Sequence, residues 1–203
     1  MFPGAALILL LLALVVPIFF VLSWVISSYN RLLVLRKGYI NAYAQVGGLL
    51  KRRYDLVLNV LETAKGYLHH DLGTPDAVLA ARNAASAANL RAAQSPGEMA
   101  SMKELAGAEA ALEGTLTRLF TLVNAYPELK TDTIMCGLKE EVAKNQNKLG
   151  SASQVYNDAV MRYNMVRGTF PNNVVALPLG FFVAENLTGE KPERMNLPKA
   201  AVF

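Results

Sequence analysis

AALILLLLALVVPIFFVLSWVI, Ala5 to Ile26, carries no charged residue. At about 1.5 Å per residue such a helix reaches roughly 33 Å, enough for a hydrocarbon core of about 30 Å. Beyond it the chain turns basic: Arg31, Arg36, Lys37, Lys51, Arg52 and Arg53 precede the first acid, Asp55. The reading is a membrane helix that runs on into a positively charged helical stalk. The other segments arrange themselves around that stalk.

The 203 residues leave room, after the anchor, for one domain with a real core. A net charge of +4 and a pI of about 9.2 raise the question of nucleic acid. The distribution answers it. Setting aside the six basic residues before Asp55 leaves 14 Lys/Arg against 16 Asp/Glu, so the body is slightly acidic. A nucleic-acid binder would carry its basic patch on the folded domain, and none is expected as a partner. Here the excess lies beside the bilayer, where it sets topology and touches anionic lipid.

A cleaved signal peptide is the alternative for the apolar run. The run is too long for one, and Met1-Phe2-Pro3-Gly4 lacks a basic start. With Lys and Arg only on its C-terminal side, the positive-inside rule places the N-terminus outside and the body in the cytoplasm. One cysteine, Cys136, excludes an internal disulfide and agrees with a reducing compartment.

Apolar positions then recur every three or four residues. Leu35, Tyr39, Ala42, Val46, Leu49, Arg53, Leu56, Val60, Ala64 and Tyr67 share one helix face. Pro17 predicts no more than a kink inside a membrane, while Gly47-Gly48 predicts either a bend or the close approach of another helix. Gly73-Thr74-Pro75-Asp76 starts a second, alanine-rich helix over Pro75 to about Ala93, with Thr74 as its cap. Ser95-Pro96-Gly97-Glu98 reads as a capping box for a third, running to Asn124. A fourth spans about Thr131 to Gly168, with Ile134, Leu138, Val142, Leu149, Tyr156, Ala159, Tyr163 and Val166 inward. The fold class is all-α: an N-terminal transmembrane helix continuing into a long antiparallel four-helix bundle. Residues 1–27 are the anchor and 28–184 the bundle. The apolar segment Val174–Ala184 is too short to cross a membrane and packs over one end of the bundle or against the lipid surface. Residues 185–203, rich in Pro and charge, read as a disordered tail.

The runs Tyr29-Asn30, Leu35-Arg36, Lys51-Arg52-Arg53-Tyr54-Asp55-Leu56 and Asn59 with Glu62-Thr63-Ala64-Lys65-Gly66-Tyr67 are distinctive. So are Ala80-Ala81-Arg82, Ala125-Tyr126-Pro127-Glu128-Leu129-Lys130, Tyr156-Asn157-Asp158-Ala159-Val160, Tyr163-Asn164 and Phe170-Pro171-Asn172. Together they resemble the LemA family of bacterial membrane proteins from about Tyr29 to Phe181. The resemblance implies an N-terminal anchor in the bacterial inner membrane and a four-helix bundle, and it supplies no activity. Against the family's pattern this chain has Tyr43 for a Trp, Gly47 for an Asp, Leu58 for a Pro, Gln146 for a Glu and Ser153 for an Arg. The pattern would allow an ionic network between the first and fourth helices, and much of it is missing here. Those departures read as a diverged paralogue, with a magnetosome-type or other specialised membrane as one expectation.

Chemistry-bearing groups are few. His69-His70-Asp71 is the one place with histidine; neighbours on a helix point about 100° apart, so it reads as a polar helix end. Glu109 and Glu113, one turn apart, and Glu140-Glu141 read as surface or capping acids, since no Glu is followed three residues on by His as a di-metal bundle requires. Cys136 has no base beside it and reads as a bundle cysteine. In Lys51-Arg52-Arg53 the first two read as solvated. Arg53 falls on the apolar stripe and needs a carboxylate, for which Asp158 and Glu109 are candidates. Most tyrosines lie near an Asn or Asp and are expected to hydrogen-bond amides between helices. No catalytic, cofactor or metal residue is expected. The reading is a non-enzymatic, membrane-anchored scaffold whose partners are the bilayer, other proteins or copies of itself. Its alternatives are a small-ligand or metal sensor, or an accessory subunit.

Overall fold

A computed structural model describes residues 3–65, 73–126 and 132–187, with residues 3–10 as backbone only. Among the described residues there are five helices and no strand: α1 (Pro3–Lys65), α2 (Gly73–Gln94), α3 (Met99–Ala125), α4 (Thr133–Gly168) and the short α5 (Asn172–Ala176). α1 and α4 pack along each other, α2 and α3 form a hairpin, and α2 lays that hairpin on α1. The predicted all-α bundle is the observed fold.

α1 runs for 63 residues, about 95 Å at 1.5 Å per residue, with Pro17 inside it and no break. Its N-terminal part is bare. Leu12 is 52 % exposed, Phe19 68 % and Phe20 70 %. Covering one such side chain is worth about 1.5–3 kcal/mol, so water is a poor neighbour for a whole belt of them. The helix is long and apolar enough there to cross a membrane. From Leu32 onward it becomes the central core element, burying Leu32, Val46, Leu50, Val57 and Val60.

The other helices complete that core according to their composition. α2 contributes the small Ala85, Ala88 and Ala92, all buried, which brings its backbone close to α1. α3 contributes the expected stripe from Met102 to Val123. α4 contributes Met135, Leu149, Tyr156, Val160 and Tyr163. Ile134 departs from the expected stripe and is 66 % exposed, with Met135 buried in its place. Met135 stands in the seven-residue register of Val142, Leu149, Tyr156 and Tyr163, and the Asp132 carboxylate caps α4 by accepting from the Met135 N–H at 2.8 Å.

Two boundaries differ from expectation. α2 begins at Gly73, so Thr74 and Pro75 sit in its first turn. The Ser95–Glu98 capping box does not form. Gly97 has φ +84°, a left-handed value incompatible with a helical first turn. A Glu98 N–H to Ser95 carbonyl bond of 3.1 Å closes a turn instead, and Glu98 precedes α3 with no side-chain cap.

Of the two explanations offered for Gly47-Gly48, the close approach holds; the helix is unbroken there. Asn89 on α2 donates to the Gly47 carbonyl at 3.2 Å, and a Cβ on Gly47 would stand 3.4 Å from its Oδ1. A Cβ on Gly48 would meet nothing within 4 Å. Gly48→Ala is therefore expected to stabilise the bundle by about 0.5–1 kcal/mol through backbone entropy alone, with Gly47→Ala gaining less. Chemical denaturation of both variants in detergent checks this, and a destabilised Gly48→Ala would contradict it.

After α5 the chain turns back along α4 as an extended strap, Phe181 to Leu187. Of the tail expected from residue 185, Glu185 and Leu187 are tied down, their backbone N–H groups donating to the Gly97 carbonyl at 2.8 Å and to Asn157 at 3.0 Å. Residues 188–203 lie outside the described residues.

Candidate functional site

The polar groups inside the bundle collect at two levels. The upper one centres on Arg53. The α1 stripe carries this guanidinium into the core, where it is 6 % exposed. It donates to Glu109 and to Glu113 on α3, each at 3.1 Å. The single Tyr54 hydroxyl proton lies between two acceptors, the other Glu109 oxygen at 2.5 Å and the Ala85 carbonyl at 3.1 Å. Three helices are thus pinned at one point.

Of the two candidate partners for Arg53, Glu109 is the one used. Asp158 sits on the exposed face of α4. The reading of Glu109 and Glu113 as surface or capping acids is corrected for Glu109, whose side chain is 18 % exposed; Glu113 keeps a 61 % exposed side chain. Their spacing of four residues puts both on the helix face that meets Arg53. Burial raises the Glu109 carboxyl above its ordinary range, against the lowering influence of the Tyr54 hydroxyl and Arg53. Burial likewise raises Tyr43 and Tyr54, with the Glu109 charge in support, so both remain neutral donors.

Beside this clamp a cleft of about 360 Å³ opens between α3 and α4. Arg53 and Glu113 line it together with the apolar Leu116, Phe120 and Val142, and Lys139 and Asn124, also in its lining, are joined by a 2.9 Å bond donated by the Lys139 ammonium. Gln146, one of the positions that departs from the family pattern, also lines it. Its mixed lining suits a small molecule with an apolar body and a polar end. Among the described residues the Nε of Arg53 and the Oδ1 of Asn145 are buried with no hydrogen-bond partner.

The lower level is aromatic. Tyr39 and Tyr43 on α1 meet Tyr163 and Tyr156 on α4 with ring centroids 5.2 and 5.6 Å apart. Tyr43 donates to Asn89 at 2.9 Å, the amide bond expected of a tyrosine between helices. Tyr156 and Tyr163 do otherwise. Their hydroxyls donate to the Glu185 and Phe182 carbonyls, both at 2.8 Å, and so hold the strap. Asn164 makes a two-way bond with Ala184, donating to its carbonyl at 2.7 Å and accepting from its N–H at 3.0 Å. Burial raises Tyr156 above the ordinary phenol value and pushes Tyr163 up to about 12. The signal was in the sequence: Tyr156-Asn157 recurs as Tyr163-Asn164 seven residues on, which repeats one face of a helix.

The remaining candidates stay apart from these levels. Arg52 reaches Glu141 at 3.8 Å and Glu140 pairs with Lys144 at 2.7 Å, all on exposed side chains; such pairs contribute little. Cys136 is exposed on α4. His69-His70-Asp71 lies outside the described residues, and among the described residues no group of three His, Cys, Asp or Glu is placed to hold a metal.

A family model described as the LemA family matches residues 42–200. The matched span takes in Arg53 with both its carboxylates, the cleft and the Tyr-Asn face of α4. The match is to the family as a whole and supports no magnetosome-type branch. No curated protein matches the chain.

Proposed function

We propose, on the premise that this chain belongs to the LemA family, that it is a non-enzymatic membrane scaffold: α1 crosses the bilayer uncleaved and carries a bundle that docks other proteins or further copies of itself. One observation carries the reading. The apolar belt and the central core helix are a single unbroken helix, with Leu32 fully buried only six positions beyond Ile26. No flexible linker separates membrane from bundle, so the two move as one body. The polar groups are used internally: Arg53, Tyr43, Tyr54, Tyr156 and Tyr163 all bond within the bundle, which gives a stiff presenting surface. Crosslinking in intact membranes tests this, a discrete partner or oligomer being expected. Recovery of uncrosslinked chain alone would overturn it.

The cations Arg31, Arg36 and Lys37 that follow the apolar run support, by the positive-inside rule, a body on the cytoplasmic side of a bacterial inner membrane. Cys136 is the sole cysteine and is exposed, far along the bundle. A membrane-impermeant maleimide is expected to modify it in inverted vesicles and not in intact cells stripped of their outer membrane. The reverse pattern would turn the topology over.

A ligand-sensing role is favoured by one specific feature, the cleft beside Arg53. A thermal-shift screen of the detergent-solubilised chain with amphipathic small molecules would then find a stabilising compound, and Gln146→Trp, which fills the cleft, would abolish the shift. A flat screen ends that reading.

A further inference from the structure

The corner joining α4 to α5 stands beside the end of the apolar run of α1. Phe170, Pro171 and Asn172 share a cavity of about 370 Å³ with Trp24, Ser28 and Arg31 of α1. Trp24 lies within the uncharged run that ends at Ile26, and Arg31 is about 7.5 Å beyond that end at 1.5 Å per residue. The corner therefore stands beside the last turn of the apolar run and the first turn after it. On a spanning helix this is the headgroup layer, where an indole such as Trp24 settles.

The corner does not bury its own apolar side chains. Asn172 and Ala176 face inward at 8 % and 1 % exposure. Phe170, Val174 and Leu177 stand outward at 77 %, 61 % and 63 %. No described residue covers them, although the same short segment packs its other face well. A cation complements this placement: Arg31, exposed and lining the cavity, stands about 7.5 Å beyond Ile26, at the height of lipid phosphates.

From this juxtaposition we infer that the α4–α5 corner is a second membrane contact, an interfacial wedge whose Phe170, Val174 and Leu177 enter the upper acyl region of the leaflet that α1 leaves. The inference rests on α1 spanning the bilayer. It adds what a single span cannot give. One helix can rotate about its axis and tilt, whereas a span and a lateral wedge together fix which face of the bundle looks along the membrane. The proposed occupant is lipid because Phe170 lines one cavity with Trp24, at the end of the apolar belt of α1, and with the exposed Arg31, and an apolar element beside a cation at that level is the kind that lies in the interface.

The test uses the full chain with Cys136→Ser, reconstituted in vesicles of zwitterionic and anionic phospholipid. Single cysteines at Val174→Cys and Leu177→Cys carry an environment-sensitive fluorophore, with Phe19→Cys and Lys144→Cys as references. All four positions are exposed, so labelling leaves the core intact. The expected result is a blue-shifted emission at 174 and 177 that loses most of its intensity to lipids nitroxide-labelled high on the acyl chain. Deep nitroxides should quench position 19 more strongly, and position 144 should respond to neither. Water-like emission at 174 and 177 with a quenched position 19 would overturn the wedge and leave the span standing. A blue shift without lipid quenching would also overturn it, since a second copy of the chain would then cover the corner. An unquenched position 19 would remove the span and the wedge together.

Discussion

Arg53→Ala is expected to lower the unfolding free energy of the bundle by about 3–5 kcal/mol, the cost typical of breaking a buried ion pair by removing one partner. The loss falls mainly on the Glu109 side of the clamp. Glu109 has an 18 % exposed side chain and would keep only the Tyr54 hydroxyl, with Glu113 adding like charge. The Glu113 half of the clamp contributes less, because a 61 % exposed carboxylate is screened by water. Glu113→Ala is accordingly expected to cost under about 1 kcal/mol. Arg53→Met with Glu109→Gln should recover much of the loss, since it removes both charges together. Denaturant titration followed by circular dichroism in detergent checks the series. Equal costs for Arg53→Ala and Glu113→Ala would show that the buried pair is not the stabilising part.

The same clamp sets a pH dependence whose sign is opposite to the common carboxylate case. Burial holds the Glu109 carboxyl above its ordinary value, so the folded chain binds that proton more tightly than the unfolded one. Its contribution is then most favourable below the unfolded pKa, and stability is lost as the pH rises through the raised folded value. Without Arg53 the window should move further up, because the lowering influence of the guanidinium is gone. Glu109→Gln should remove this part of the pH dependence.

How much of this was readable beforehand follows from range. Helix stripes and Pro or Gly punctuation are local, so the bundle and the buried Arg53 were legible from spacing alone. Partner choice was not. Asp158 and Glu109 are equally distant in kind from Arg53, and only the hairpin packing of α2 and α3 brings Glu109 and Glu113 to the guanidinium while α4 turns Asp158 outward. The network that the family pattern would allow between the first and fourth helices was read as largely missing here, and the buried ionic contacts of Arg53 run instead between α1 and α3. Gln146 and Ser153 stand near Arg53 where the family pattern would put charge, and they line its two flanking cavities. The Ser95–Glu98 motif misled because a four-residue pattern does not encode the left-handed Gly97. That residue is required by the strap, for a Cβ there would sit 3.0 Å from the Ala184 Cβ. The strap itself lacks any periodicity of its own, being held by side chains of another element.

That dependence gives the second large effect. Asn164→Ala is expected to free the strap by about 2–3 kcal/mol, since a buried N–H and a buried carbonyl both lose their partner. Ala184 is 4 % exposed, so water cannot replace the amide without the strap opening. In hydrogen exchange this corresponds to roughly 30–150-fold faster exchange of the strap amides at about 1.4 kcal/mol per decade. Tyr156→Phe removes one bond to the Glu185 carbonyl and should speed exchange about fivefold, an effect of about 1 kcal/mol. The slowest amides of α1 and α4 should keep their rates in both variants. Phe181 and Ala184 of the strap join the same buried cluster as Leu32, Val46, Leu50, Leu149 and Val160, but the strap's backbone is held by α4 side chains and not by a helix ladder, so it is expected to open as a separate unit. If exchange across α1 and α4 rose in step with the strap, the segment would be part of the cooperative core, and the Tyr-Asn face of α4 would be holding the bundle closed as a whole.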